Sequence, residues 1–323
     1  MIRRLLPFWL ALVLGGFVPD AGRAQGFEPV TFASADGTTI SALFAMPAGN
    51  APFPAVILLH GCGGRDRANG TLLPRHEEWA ELLLAKGYAV LLPESFASRG
   101  KGSQCAVRER AILPWRERRA DVEGARDFLR ARPGIAPARL ALLGWSHGGS
   151  TVLASADLSG FSAFVAFYPG CGRALRRGGW APVAPLLLLI GDADDWTPAA
   201  PCRALASAAG PRVTFVEYPG AYHDFDAPDL PVRLRTGLAF SVRGDGSAHV
   251  GTDQAARADA QRRVPAFLDA QLMARPTPER AAQRVARPAP PARPAAPEET
   301  APAEPAQAES APAQSEPAPE PNR

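Results

Sequence analysis

Between residues 25 and 274, short apolar runs alternate with longer amphipathic stretches. Residues 55–60 form an almost unbroken apolar run rich in Val, Ile and Leu, the pattern of a strand buried on both faces. Residues 88–92 read the same way, and residues 139–143, 163–168, 186–190 and 213–218 complete the predicted strand set. Residues 30–34 and 39–46 bracket an Asp36-Gly37 turn and predict two shorter strands. Helical patterns lie between the strands. Residues 77–86 are amphipathic and followed by Gly87, which suits a C-cap. Residues 116–131 form a charged amphipathic stretch, with Pro133 just past its end, where it cannot continue a helix. Residues 148–156 open another helix, and residues 253–272 read as the closing one. Strands alternating with helices predict an α/β fold, a mostly parallel sheet covered by helices on both faces. No internal repeat is present.

The two ends of the chain depart from this pattern. Arg3 and Arg4 precede an apolar stretch over residues 5–18, and Ala21-Gly22-Arg23-Ala24 then supplies small residues of the kind a signal peptidase reads. Residues 1–24 are expected to be a signal peptide cut after Ala24. The apolar stretch is short for a membrane span, which needs about 20 residues. Beyond residue 275, Pro, Ala and Glu dominate and aromatic residues disappear. Such a composition cannot bury enough apolar surface to offset the entropy of ordering, so residues 275–323 are expected to be a disordered tail. Most of its basic residues, Arg275 to Arg293, precede most of its acidic ones, Glu298 to Glu320, and the tail is a candidate contact to the cell envelope. The folded domain is expected over residues 25–274.

Composition narrows the class. Lys and Arg number 35 against 32 Asp and Glu, and a net charge of +3 argues against a dedicated nucleic-acid binder. The four cysteines, Cys62, Cys105, Cys171 and Cys202, are even in number, which in an exported chain favours disulfides over free thiols. Their spacing contains no CxxC pair and does not suit zinc. Three pairings are open. Cys62 with Cys105 and Cys171 with Cys202 is preferred, because each pair would then join segments at one end of the predicted sheet.

The chemistry concentrates in Gly144-Trp145-Ser146-His147-Gly148-Gly149, between a predicted strand and a predicted helix. This is the G-x-S-x-G pattern, in which a sharp turn exposes a serine hydroxyl above a sheet. A serine hydroxyl needs a base to take its proton. Of the five histidines, His223 follows the last predicted strand, whereas His60 ends a strand, His76 starts a helix, His147 adjoins the serine and His249 lies in a polar loop. His223 is therefore the candidate base, with His249 as the alternative. An acid must orient the imidazole. Asp192, Asp194 and Asp195 compete after strand 186–190, and the Gly-x-x-Asp-x-x-x-Pro spacing selects Asp194. The developing oxyanion needs backbone donors. The N–H of His147, directly after the serine, and that of Cys62, in the glycine-rich His60-Gly61-Cys62-Gly63-Gly64, are the candidates. Arg99, Trp145, Trp196 and Tyr222 could line a pocket, and each also has a purely structural reading.

These motifs, with residues 191–198 and 218–225, make residues 28–273 resemble the dienelactone hydrolase family of α/β-hydrolases. The resemblance implies hydrolysis of a small-molecule ester or lactone without metal or organic cofactor. The family's founding members use cysteine where this chain has Ser146. A serine peptidase, or an exported binding protein on the same fold, are the alternative readings. An exported location, periplasmic or secreted, without stable membrane insertion after cleavage, is expected from the N-terminus.

Overall fold

The structure is a computed structural model and describes residues 26–273. The expected signal peptide, residues 1–24, and tail, residues 275–323, lie outside the described residues. Eight strands form the main sheet: β1 (Glu28–Ala33), β2 (Thr39–Ala45), β3 (Phe53–Leu59), β4 (Ala89–Glu94), β5 (Ile135–Trp145), β6 (Ala163–Phe167), β7 (Leu186–Gly191) and β8 (Val213–Tyr218). Their order is β1-β2-β4-β3-β5-β6-β7-β8. The first two are antiparallel to each other, and β2 is antiparallel to β4, while β3 to β8 run parallel. The central strands are buried at every position, as their continuous apolar sequences require.

Helices α1 (Pro74–Ala85), α2 (Glu117–Ala131), α3 (His147–Ser155), α5 (Ala199–Ala209) and α6 (Gln254–Leu268) pack on the sheet, and α4 (Gly172–Arg177) is a short helix after β6. The predicted strand and helix positions are met to within a few residues, with three differences. The stretch predicted as one helix over 253–272 ends at Leu268 and continues as a π-helical turn over Asp269–Met273. Helices α4 and α5 stand where only loops were read. An excursion after His223 also folds back as a small antiparallel pair, β9 (Arg233–Arg235) and β10 (Ala248–Val250).

Parallel strands place their carboxyl ends on one side, where α/β folds build their sites. The connections after β3, β4, β5, β6, β7 and β8 all emerge there. Disulfides Cys62–Cys105 and Cys171–Cys202 bridge segments at this end, in the preferred pairing, although Cys202 stands in α5 rather than in a loop. A small apolar cluster separate from the main core, formed by Cys62, Cys105, Trp196, Leu238, Ala248 and Val250, packs the excursion against the loops after β3 and β7. Among the described residues no helix is long and apolar enough to cross a membrane.

Candidate active site

Ser146 sits between β5 and α3 at φ 52° and ψ −110°, a conformation that L-residues rarely adopt. Holding it costs on the order of 1–3 kcal/mol, met by the packing around it. Its N–H donates to the Phe167 carbonyl at 2.9 Å, which fixes the turn to the end of β6. The glycines of the motif permit the turn sterically. A Cβ on Gly148 would lie 2.0 Å from the Leu59 carbonyl oxygen, and one on Gly144 would lie 2.4 Å from that of Gly148. The helix and strand therefore approach more closely than any side chain allows.

His223 and Asp194 are brought together. The His223 Nδ1 donates to Asp194 Oδ2 at 2.7 Å, and both side chains are buried. Asp194 Oδ1 accepts the backbone N–H groups of Trp196 and Thr197 at 2.9 and 2.8 Å, which fixes the carboxylate plane. Burial pushes the His223 pKa down, but the charge and hydrogen bond of Asp194, with the charge of Asp224, outweigh it and the net direction is upward. The other ring nitrogen, Nε2, makes no hydrogen bond among the described residues and is not sealed from solvent. The His223 ring lies between Tyr168 and Trp196, with centroids 4.4 and 4.6 Å away. Tyr168 follows Phe167, the residue that anchors Ser146, so serine and histidine meet the same turn at the end of β6.

The candidate oxyanion donors are also placed at this end. Gly61 adjoins Ser146, since a Cβ built on Gly61 would lie 3.7 Å from Ser146 Cβ. The N–H of Cys62, next along, donates to no acceptor among the described residues, while its carbonyl accepts from Gln104 N–H at 2.7 Å. The N–H of His147 is the first of α3 and has no acceptor within its helix.

Several supporting residues escaped the sequence reading. Asp226 is fully buried and accepts three hydrogen bonds, from Trp79 Nε1 (2.9 Å), Trp145 Nε1 (2.8 Å) and Tyr168 Oη (2.6 Å). Burial raises its pKa, opposed by Arg75 and these donors. Arg75 donates to Asp224 Oδ1 at 2.6 Å and to the Tyr168 hydroxyl. Burial alone would raise the Asp224 pKa, but Arg75 holds it down at about 2. Asp224 adopts φ 64° and Tyr168 φ 35°, so this network pins two strained residues beside the histidine. Behind the loop after β3, fully buried Arg118 donates to the His60 carbonyl at 2.8 Å and to His147 Nδ1 at 3.0 Å. Burial lowers the pKa of Arg118 to about 10 and, with the charge of Arg118, that of His147, so the His147 ring is neutral and can accept. Glu94, at the end of β4, accepts the N–H groups of Arg65 and Phe96 at 2.8 and 2.9 Å. Burial opposes its ionisation, but the His60 ring and these donors hold its pKa below the usual carboxylate range.

One signal for Arg118 was present in the sequence. Along α2 it shares the buried stripe of Asp121, Val122, Ala125 and Leu129, where a charge is out of place unless paired. Asp226 left no comparable mark.

Other candidates fall elsewhere. Asp192 accepts Gly220 N–H at 2.6 Å and shapes an exposed turn. Asp195 holds His249, accepting its N–H at 2.7 Å and its Nδ1–H at 2.8 Å. The His249 ring stacks on Tyr222, 4.9 Å between centroids. Arg99 bridges Asp121 and Asp36, and Trp145 is buried with its indole on Asp226, so neither lines a pocket. Trp196 does flank His223. Among the described residues, no group of three or more His, Cys, Asp or Glu side chains is arranged to hold a metal ion.

Comparison with known proteins agrees with this architecture. The family model for the dienelactone hydrolase family matches residues 40–272. No curated protein matches the chain by sequence. Among solved structures, a putative dienelactone hydrolase from Klebsiella pneumoniae subsp. pneumoniae is similar at a TM-score of 0.57 and 18% identity, covering 76% of this chain and 99% of that one. A dienelactone hydrolase-like promiscuous phosphotriesterase from metagenomic libraries gives 0.60 and 18%, covering 77% and 99%. An esterase of Pyrococcus furiosus gives 0.55 and 17%, covering 76% and 93%. At these identities the likeness is one of fold.

Proposed function

Because the chain belongs to the dienelactone hydrolase family, we propose that it cleaves carboxylic ester or lactone bonds with Ser146 as nucleophile, His223 as base and Asp194 as the acid that orients it. The observation that carries this reading is the His223–Asp194 pair. It is a buried 2.7 Å hydrogen bond whose imidazole keeps Nε2 unpartnered, at the sheet end where Ser146 is held in its strained turn.

In the proposed cycle His223 Nε2 takes the Ser146 proton as the hydroxyl attacks the carbonyl carbon. The N–H groups of Cys62 and His147 donate hydrogen bonds to the carbonyl oxygen as negative charge develops on it. His223 returns the proton to the departing alkoxide, and the acyl group remains on Ser146. Water, deprotonated by His223, then releases the acid. For a lactone the leaving alkoxide stays tethered to the acyl group, so the product is a hydroxy acid. Asp194 fixes the tautomer of the neutral imidazole and stabilises the imidazolium formed in each half.

A panel of p-nitrophenyl esters and lactones, assayed on the wild type and on Ser146→Ala, tests the reading. Turnover of at least one ester or lactone that vanishes in Ser146→Ala supports it. Turnover of peptide nitroanilides in place of esters would favour a peptidase. Unchanged turnover in Ser146→Ala would refute the assignment. The two disulfides suit an exported enzyme, and export with cleavage after Ala24 is part of the proposal.

A further inference from the structure

Around the candidate site the surface is unlike the rest of the molecule. Three segments emerge at the carboxyl ends of the parallel strands: residues 100–116 after β4, 172–180 after β6, and 228–250 after β8. They contain ten Lys and Arg against only Glu109, Asp229 and Asp245, in a chain whose totals are 35 against 32. The near-neutral net charge therefore conceals a basic rim. Lys101, Arg108, Arg173, Arg176, Arg177 and Arg233 are exposed there, and none makes an ion pair among the described residues. Elsewhere Arg203, Arg262 and Arg263 are exposed and ion-paired, whereas Arg67, Arg130 and Arg212 are exposed without an ion pair among the described residues, so what sets the rim apart is its clustering of cations with few acids.

The same segments carry nearly all the exposed large apolar side chains. Trp115, Val232, Leu234, Phe240 and Val242 are 40–54% exposed, and among the described residues only Met273 joins them in that class. The segments touch one another. Arg173 stacks on the Trp115 ring at 3.7 Å and Arg110 on the Phe240 ring at 5.0 Å, while Ala239 N–H donates to the Cys105 carbonyl at 2.9 Å. Arg235, on β9, lies over Trp196 at 5.1 Å, and Trp196 flanks His223. The rim is thus continuous with the site.

We propose that this rim is a docking surface for an anionic phospholipid bilayer, on which the protein sits peripherally with its site at the contact. Unpaired cations are drawn to an anionic membrane, and apolar side chains gain by entering the boundary between headgroups and acyl chains. The pairing of the two decides between polyanions. A hydrated acidic polysaccharide would satisfy the arginines but leave Val232, Leu234, Phe240 and Val242 in water. A bilayer satisfies both. Exposed Arg173 laid over exposed Trp115 is arranged for such an interface, since the ring supports the guanidinium while both remain open on the outer side.

The test uses the full chain carrying Ser146→Ala, so that binding is read without turnover and independently of the ester-hydrolase proposal. Co-sedimentation is measured with vesicles of equal phosphatidylglycerol and phosphatidylcholine, and with phosphatidylcholine alone. Binding at least tenfold stronger to the anionic vesicles, weakening as salt rises, is expected. Replacing Arg173, Arg176 and Arg177 by Gln should lower the partition coefficient about a hundredfold. Phe240→Ser with Val242→Ser should lower it at least tenfold, with the thermal unfolding midpoint unchanged in both variants. The apolar N-terminal stretch is common to all of them and cannot account for a difference. Equal binding to both vesicles, no binding, or rim variants that bind like the parent would overturn the proposal. Binding to polygalacturonate that depends on the arginines but not on Phe240 and Val242, without vesicle binding, would assign the rim to a polysaccharide instead.

Discussion

The indole of Trp145 and the carboxylate of Asp226 are joined by a 2.8 Å hydrogen bond between residues 81 positions apart. That bond ties the residue before Ser146 to the loop that carries His223. The same carboxylate holds Tyr168, against which the His223 ring rests. One buried acid thus sets the spacing of nucleophile turn and histidine loop. Removing it leaves two indole N–H groups and a phenol buried without their acceptor, at about 1–3 kcal/mol each. Asp226→Ala should therefore lose at least about 3 kcal/mol by urea unfolding and lower kcat more than it raises KM. A variant with wild-type stability and turnover would show that the strut is dispensable.

The acid limb of the pH–rate profile should lie above that of an unperturbed histidine. In the proposed mechanism His223 must be neutral, and Asp194 and Asp224 raise its pKa against the effect of burial, so activity is expected to fall as pH drops through that raised value. Stability moves the other way. A histidine raised in the folded state contributes fully below its unfolded pKa, and the contribution fades as pH rises through the folded one. Asp194→Asn should shift the limb to lower pH and cut kcat by roughly 10⁴. Kinetics of both proteins between pH 5 and 9 read this, and a limb that stays in place in Asp194→Asn would separate the two residues.

The closeness of α3 to β3 predicts a sharp contrast between two glycines. Gly148→Ala puts a methyl 2.0 Å from the Leu59 oxygen, whereas a Cβ on Gly63 meets nothing within 4 Å. Overpacking by one methyl in a rigid contact costs about 1–3 kcal/mol or more. Gly148→Ala should lower the unfolding midpoint markedly and abolish turnover, and Gly63→Ala should leave stability within about 0.5 kcal/mol. Equal stability of the two variants would contradict the steric account.

The Cys62–Cys105 bridge closes 43 residues of sequence and braces the loop that offers the Cys62 N–H. In the chain-entropy view such a closure is worth about 4 kcal/mol. Cys105→Ser should approach that loss in denaturant unfolding and depress kcat with little change in KM, because the proposed donor would act on the transition state. Full activity after reduction, with the protein still folded, would show that the loop holds its shape alone.

How much of this was legible in the sequence depends on where each residue's partners lie. The buried strands β3, β6 and β7 announce themselves because both faces must be apolar, and β8 was read at its observed bounds. The G-x-S-x-G turn was legible because its glycines answer a local steric demand. Helix α5 was missed because its Ala-rich sequence with Pro201 shows no contrast of faces to the eye. Strands β9 and β10 are three residues each, set in a stretch rich in Gly, Asp and Ser that reads as loop. Asp226 shows the deeper limit. Its donors stand 147, 81 and 58 positions away, and no local pattern records a carboxylate shared among three distant side chains. The basic rim was hidden likewise, because the chain's net charge averages it against acids elsewhere.

Ser146 is proposed as the nucleophile served by His223 and Asp194. Labelling with a fluorophosphonate, followed by peptide mass mapping, tests it most directly. The account predicts one adduct on Ser146, formed in step with loss of esterase activity, and none in Ser146→Ala or in the denatured chain. Folded protein that hydrolyses esters while Ser146 stays unmodified, or an adduct that persists in Ser146→Ala, would contradict it.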